Sequence, residues 1–256
     1  MNIRLKFNHL LNFGLLTAFA KSGVTNILPL KWLSTQCLLC ASVQGGDLGI
    51  CTACLKDLPW HNALHCPQCS LPSNGLLCGT CINAPPAFDA TLAIFTYDYP
   101  VDKLLQHYKY KEMLHLSNIF GTLLSTKLAA QVKNIDAIIP MPMHQTRLKE
   151  RGFNQALEIA RLVAKNLQIP LNYKVCQRTK LTPPQASLPL KLRIKNIHGV
   201  FECSENLQGK RVAIIDDVMT TGASLNELAK TIKKAGAGHV ECWVIARTLP
   251  NNHSSK

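Results

Sequence analysis

VAIIDDVMTTGAS, residues 212–224, joins an apolar run to two adjacent acids and then to small hydroxylated residues around a glycine. A run such as VAII reads as a strand buried on both faces, the pattern of a parallel sheet. Asp216 and Asp217 then stand at its carboxyl end, where open parallel sheets bind their ligands. Thr220, Thr221, Gly222, Ala223 and Ser224 form the turn into the next helix. Backbone N–H groups at a helix start, two kinds of hydroxyl and a glycine that permits close approach together make a phosphate cradle. Two carboxylates beside a phosphate site would repel the ligand unless they accept hydrogen bonds from sugar hydroxyls or help to hold a divalent cation. Adjacent ionised groups at a strand end are costly without a ligand or water. The arrangement describes a phosphorylated ribose.

The flanking sequence supplies the rest of an α/β fold. TLAIFTYDY (91–99), IDAIIPMP (135–142), RVAIIDD (211–217) and HVECWVIART (239–248) read as strands. Residues 101–131 read as helical, with Leu104, Leu105, Met113, Leu116, Ile119, Phe120, Leu123 and Leu124 in apolar stripes. FNQALEIARLVAKNL (153–167) is amphipathic, with Ala156, Ile159, Ala160, Val163, Ala164 and Leu167 on one side. SLNELAKTIKKAG (224–236) turns Leu225, Leu228, Ala229 and Ile232 inward and stops at Gly236. Strands alternating with helices predict a parallel sheet. The stretch 178–196, with Pro183-Pro184 and no clear period, reads as a loop over the site.

The 256 residues, 47% hydrophobic, are enough for a sizeable core, and the formal net charge of +13 predicts affinity for polyanions. The charge is concentrated: residues 141–200 hold 11 Lys or Arg against 2 Glu, whereas residues 201–250 hold 6 of each sign. That segment reads either as a solvated face or as a phosphate or nucleic-acid surface. No apolar run reaches the length of a membrane span. The start, MNIRLKFNHLLNFGLLTAFAKSG, has basic residues, a short apolar stretch and Ala18-Phe19-Ala20, but Asn8, His9 and Asn12 interrupt it. A short amphipathic helix, or an extension over residues 1–34 outside the fold, is the expectation.

Eight of the 11 cysteines fall between residues 37 and 81, as Cys37-x2-Cys40, Cys51-x2-Cys54, Cys66-x2-Cys69 and Cys78-x2-Cys81. Two-residue spacing lets a tight turn aim both sulfurs at one point, as tetrahedral zinc requires. The four pairs supply two four-thiolate sites in a small domain, residues 35–84. Consecutive pairing, 37/40 with 51/54 and 66/69 with 78/81, is the expectation; an interleaved arrangement and a single occupied site are the alternatives. A disulfide framework would need an oxidising compartment, and a ferredoxin cluster would need a closer cysteine run. His61 and His65 lie nearby as bystanders. Cys176, Cys203 and Cys242 read as isolated, small buried hydrophobes.

The 212–224 stretch resembles the phosphoribosyl-pyrophosphate motif of type I phosphoribosyltransferases. PMPMHQTRLKERGFNQALEIA (140–160), RTKLTPPQASLPLKLRIKNIHGVF (178–201) and the cysteine-rich front resemble the ComF family of competence proteins, over about residues 27–248. The resemblance implies an α/β domain over residues 88–250: a type I phosphoribosyltransferase-like parallel sheet flanked by helices, preceded by the zinc-ribbon domain. It makes Asp216 and Asp217 the candidate catalytic residues, meeting the ribose 2′ and 3′ hydroxyls. It places the 5′-phosphate on Val218, Met219, Thr220, Thr221, Gly222, Ala223 and Ser224. Met141 to His144 would occupy the place of the pyrophosphate loop, with Arg147, Lys149 and Arg151 as anion contacts. Arginine suits bidentate phosphate binding, and a solvated helix start is the competing reading of those three. Lys191, Arg193 and Lys195 would reach phosphate or a nucleic-acid strand, and His198 reads as structural.

As cofactors the resemblance implies Zn2+, and Mg2+ with phosphoribosyl pyrophosphate. As partners it implies single-stranded DNA and a competence helicase or other DNA-processing proteins, in the cytoplasm, including the inner face of the membrane. Trp60, Phe88 and Tyr108 would offer stacking surfaces or belong to the core. The functional expectation is a DNA-uptake factor for natural transformation. The alternatives are an active phosphoribosyltransferase with a nitrogen acceptor, for which no nucleobase hood is recognisable, and a metabolite sensor without turnover.

Overall fold

The computed structural model describes residues 36–109, 113–131, 134–181 and 197–250. The expectations for the first 34 residues and for Lys191, Arg193 and Lys195 lie outside them. The chain divides into two compact units between Asp57 and Leu58. The smaller unit holds the first four cysteines and a short helix, α1 (Thr52–Lys56), capped at its start by the Cys51 side chain.

In the larger unit a second short helix, α2 (Gly79–Asn83), precedes the α/β body. Four strands, β1 (Ala90–Thr96), β2 (Ala137–Pro140), β5 (Arg211–Met219) and β6 (His239–Arg247), form one sheet in the order β1-β6-β5-β2. Every pairing in that sheet is parallel. Residues 212–215 of β5 and 242–246 of β6 are all buried, as strands covered on both faces should be.

The helices are α3 (Val101–Lys109), α4 (Leu116–Ala129), α5 (Gln145–Arg151), α6 (Gln155–Leu167) and α7 (Ala223–Lys234). The inward residues read from α7, namely Leu225, Leu228, Ala229 and Ile232, are all buried. On α6 the buried stripe begins with Gln155 and omits Leu167. Gly121 lets α4 and α6 approach closely: a Cβ there would lie 2.9 Å from Leu162 Cβ.

The sequence read helix across 101–131, but α3 ends at Lys109 and α4 starts at Leu116. The first turn of α6 holds the end of α3. Tyr108 Oη donates to Gln155 O at 3.0 Å, and Gln155 Nε2 donates to Lys109 O at 3.5 Å. Of the expected loop 178–196, residues 182–196 lie outside the described ones. A two-stranded antiparallel ribbon, β3 (Cys176–Arg178) with β4 (Phe201–Cys203), brackets it and puts Cys176 opposite Cys203. Those two cysteines are therefore neighbours, not isolated. Phe88 and Tyr108 are 2% and 0% exposed and belong to the core, and Trp60 packs on Phe95 with ring centroids 4.7 Å apart, so Phe88 and Tyr108 offer no open stacking surface.

Candidate functional site

Two sulfur clusters are built by the same local chemistry. The groups are Cys37, Cys40, Cys51 and Cys54, and Cys66, Cys69, Cys78 and Cys81, each with its sulfurs within 4.8 Å of one another. The grouping is consecutive. In the first cluster Cys37 N–H donates to Ser42 O and Ala41 N–H to Cys37 O. In the second, Cys66 N–H donates to Leu71 O and Ser70 N–H to Cys66 O. Ala41 and Ser70 both take φ of 60°, so each pair's second cysteine leads into the same left-handed turn. Backbone N–H groups aim at sulfur in both: Cys51 N on Cys37 Sγ at 3.3 Å, Cys78 N on Cys66 Sγ at 3.4 Å.

These donors fit zinc. A Zn–S bond of about 2.3 Å implies a tetrahedral S···S edge of about 3.8 Å, and Cys40–Cys51 and Cys69–Cys78 stand 3.7 and 3.5 Å apart. Burial pushes the Cys37 thiol up, but the backbone donors outweigh it and hold the group at about 6. The same opposition leaves Cys66 at about 7. Turns that stabilise thiolate prepare a ligand, since only the thiolate binds metal. His61 and His65 join neither cluster: each ring is spent on a backbone carbonyl, Ser70 O and Ala63 O respectively.

The acid pair stands near the carboxyl end of β5. Pro140, the last residue of β2, pairs with Ile215, so Asp216 and Asp217 project beyond β2 at the carboxyl end of β5. Met141 N–H still bonds Ile215 O at 2.8 Å, and Asn154 Nδ2 donates to Met141 O at 3.0 Å, which fixes the segment leaving β2 beside the acids. A cleft of about 510 Å3 opens there, lined by both acids, Val218, Thr220 and Ser224, and by Lys109, Arg147, Arg151 and Arg178. A smaller hollow of about 40 Å3 lies within the loop itself, between Asp216, Val218, Met219, Thr220 and residues 222–225.

The electrostatics of the cleft are unusual for a resting surface. Burial pushes the Asp216 carboxyl well above the ordinary carboxylate range, the Asp217 charge adds to that, and the Asp217 N–H and Lys109 oppose it. Asp217 N–H donates to Asp216 Oδ1 at 2.9 Å. Lys109 Nζ lies 3.2 Å from Asp217 Oδ2. Across from the acids, burial lowers the Arg178 guanidinium and the Arg147 charge lowers it further. With Arg147 close enough to act on Arg178, and both lining the cleft, the two guanidiniums make an anion-seeking surface.

Gly222 is the hinge of the loop and the N-cap of α7, with φ of 77° and no side chain capping the helix. Thr221 Oγ1 accepts from Ala223 N–H at 3.3 Å. Of the residues expected at the site, Asp216, Asp217, Val218, Thr220, Ser224, Arg147 and Arg151 share the cleft; Met219, Gly222 and Ala223 line the small hollow. Lys149 lines neither. Thr221 and His198 line a separate cavity of about 680 Å3, mainly apolar, shared with Cys69, Cys81, Phe88 and α7. Larger as it is, that cavity contains neither Asp216 nor Asp217; its charged lining residues are Glu227, Lys230 and Arg247.

Lys109 and Asn154 were not expected at the site, and Arg178 only as the first residue of the loop over it. Lys109 and Asp217 are remote in sequence, and no local pattern joins them. Arg247 was also missed, although it ends a parallel strand next to β5, the position at which such sheets bind ligands.

Residues 154–255 match the phosphoribosyl transferase domain, and residues 28–82 the double zinc ribbon domain. The DNA utilization protein YhgH of Escherichia coli (strain K12) is 30% identical over 221 residues, 83% of this chain and 97% of that protein. The chain belongs to the family of YhgH and competence protein F. Competence protein F of Haemophilus influenzae is 29% identical over 229 residues, 85% of this chain and 99% of that protein. Competence protein ComFC of Bacillus subtilis (strain 168) is 24% identical over 234 residues, 83% of this chain and 95% of that protein. Among solved structures, the purine phosphoribosyltransferase from Pyrococcus horikoshii Ot3 is similar at 20% identity and a TM-score of 0.33, covering 54% of this chain and 90% of that one. This chain thus combines a double zinc ribbon domain with a phosphoribosyl transferase domain, and its two four-cysteine clusters are the groups that would hold zinc. Among the described residues no helix is long and apolar enough to cross a membrane.

Proposed function

We propose that this chain binds phosphoribosyl pyrophosphate with Mg2+ in the cleft at the carboxyl end of β5, and that it acts on single-stranded DNA in DNA utilization or uptake. The acid pair ringed by four cations carries the ligand reading. Asp216 and Asp217 face the cleft with Lys109, Arg147, Arg151 and Arg178. Asp217 is neutralised by Lys109 and burial disfavours charge on Asp216, so the pair accepts hydroxyl protons without repelling a polyanion. The hollow within residues 216–225 takes the 5′-phosphate on backbone N–H groups and hydroxyls. Arg147, Arg151 and Arg178 take the pyrophosphate. Mg2+ supplies charge neutralisation of that pyrophosphate, and Asp216 and Asp217 are hard oxygen donors of the kind it prefers.

The DNA role rests on the names of the relatives and on the basic 141–200 segment. It places the protein in the cytoplasm, where incoming strand is processed with helicase-like partners. Calorimetry with phosphoribosyl pyrophosphate, with and without Mg2+, is the test. Mg2+-dependent binding lost in Asp216→Asn/Asp217→Asn is expected, and no heat with either protein ends the ligand reading. Single-strand binding is read separately by anisotropy: affinity should fall steeply with salt.

A further inference from the structure

The second cysteine cluster is fastened to the α/β body through its own backbone. Four consecutive carbonyls of its first turn are held, three by residues of that body and one by His61, whose own N–H donates to Ile94 O of β1 at 2.8 Å. Pro67 O accepts from Thr91 N–H at 3.1 Å, and Gln68 O from Thr91 Oγ1 at 2.6 Å. Cys69 O accepts from Arg247 Nε at 2.8 Å, and Ser70 O from His61 Nε2 at 3.0 Å. The turn that aims two sulfurs is therefore registered against β1 and β6.

Arg247 goes further. It is 3% exposed. While its Nε holds Cys69 O, one terminal nitrogen donates to Met219 O and Thr248 O, both at 2.9 Å, and also to Thr220 O. Met219 ends β5 and Thr220 opens the loop, so one guanidinium spans from a metal ligand's carbonyl to the base of the cradle. Thr248 N–H closes the arrangement on Met219 O at 3.0 Å. A rigid fork with donors in fixed directions is suited to holding two segments in register. A buried cation needs compensation. The carbonyls provide part of it, and the net negative charge of a zinc ion with four thiolates supplies the rest.

We propose that Arg247 links metal binding at Cys66, Cys69, Cys78 and Cys81 to the ordering of the 219–224 loop, so that zinc at this site tightens ligand binding and ligand tightens zinc. Arg247 is a positioning residue: it touches neither the metal nor the cleft acids, and acts through the carbonyls of Cys69, Met219 and Thr220. Without metal the Cys66–Ser70 turn loses the constraint at its sulfurs and keeps only its hydrogen bonds, so Cys69 O gains freedom and the fork holds the loop less firmly in register. The reverse follows by linkage, because a coupling free energy is the same in both directions. The half of the proposal that concerns ligand rests on the proposed sugar-phosphate reading; the half that concerns the loop does not.

Two measurements on the full-length, metal-loaded chain and its variants separate these halves. In the first, hydrogen exchange is followed without ligand in wild type, Cys78→Ser, Arg247→Lys and the double variant. Amides of 220–226 should exchange about tenfold faster in Cys78→Ser, and no faster in the double variant than in Arg247→Lys alone. Protection across 212–215 and 240–245 reports that each variant is folded. Faster exchange in Cys78→Ser confined to 66–83 overturns the proposal. The second measurement uses wild type alone, so it stands even where a variant does not fold. With cobalt in place of zinc, saturating Mg2+-phosphoribosyl pyrophosphate should shift the visible bands of the thiolate-bound ion and slow its loss to a chelator about tenfold. Calorimetric binding with unchanged bands and unchanged loss overturns the coupling. Absence of calorimetric binding defeats the sugar-phosphate reading, and the exchange result then decides the loop coupling by itself.

Discussion

Lys109 Nζ lies 3.2 Å from Asp217 Oδ2, joining the last residue of α3 to the acid pair at the end of β5. The Asp217 charge raises the lysine's pKa against the burial that would lower it. This pair explains how a site meant for a polyanion tolerates two adjacent carboxylates. Lys109→Met leaves Asp217 uncompensated beside Asp216, and the affinity for Mg2+-phosphoribosyl pyrophosphate should fall about tenfold or more, the effect of losing one close charge pair in a partly buried site. Lys109→Arg should recover most of it. Calorimetry on both variants checks the point; equal affinity in wild type and Lys109→Met excludes the role.

How much of this was legible beforehand follows from the range of each signal. The strand, acid pair and turn of 212–224 are contiguous, so the sheet, the crevice and most of the loop could be read from local pattern alone. The cysteine spacing likewise pointed to both sulfur clusters, because two-residue turns are local. Lys109 and Arg178 reach the cleft only through tertiary packing: Lys109 because Gln155 holds the end of α3, Arg178 because β3 pairs with β4. The break in the 101–131 helix escaped notice for the same reason, since the apolar stripe runs on through it while the terminating hydrogen bonds come from α6. Cys176 and Cys203 looked isolated because their antiparallel pairing spans a segment with no period.

Gly222 adopts φ of 77°, a conformation that costs any side chain, and an added Cβ would stand 2.7 Å from Met219 Cε. The methionine tip can move, so the backbone term dominates. Gly222→Ala should destabilise the protein by about 1 kcal/mol and weaken ligand binding by more than that stability loss implies, because the strain falls on the cradle. Thermal unfolding and calorimetry on the same preparation separate the two effects. A variant as stable as wild type with unchanged affinity would show that the loop does not need this conformation.

Metal content follows from the two clusters. Elemental analysis of protein purified under reducing conditions should give two zinc ions per chain, and Cys51→Ser or Cys78→Ser should each give one. Because ligands of a structural site are brought together only by folding, metal affinity is folding free energy. A chelator should therefore unfold the short 36–57 unit, whose buried residues among those described are Cys37, Gly45 and Ile50. Circular dichroism and limited proteolysis would show cleavage confined to that unit at low chelator excess.

Asp89 offers a test of the body's electrostatics that is independent of any ligand. Its Oδ2 accepts from Val240 N–H at 2.7 Å and lies 2.8 Å from Lys233 Nζ and 3.5 Å from His239 Nδ1. Burial raises the carboxyl, but Lys233 and the Val240 N–H outweigh it and hold its pKa below the usual value. A carboxyl depressed in the folded state contributes stability at every pH above its unfolded value and loses it as pH falls through the folded one. Asp89→Asn keeps an acceptor for Val240 N–H and removes only the charge. Asp89 is 38% exposed, so the ion pair is solvent-screened and the gap in melting temperature should be small, about 2 °C. That gap should be constant above about pH 5 and close below about pH 4. Melting curves from pH 3 to 7 at low salt decide it: a gap that persists unchanged at pH 3 would mean that the asparagine harms packing and that the charge on Asp89 contributes nothing.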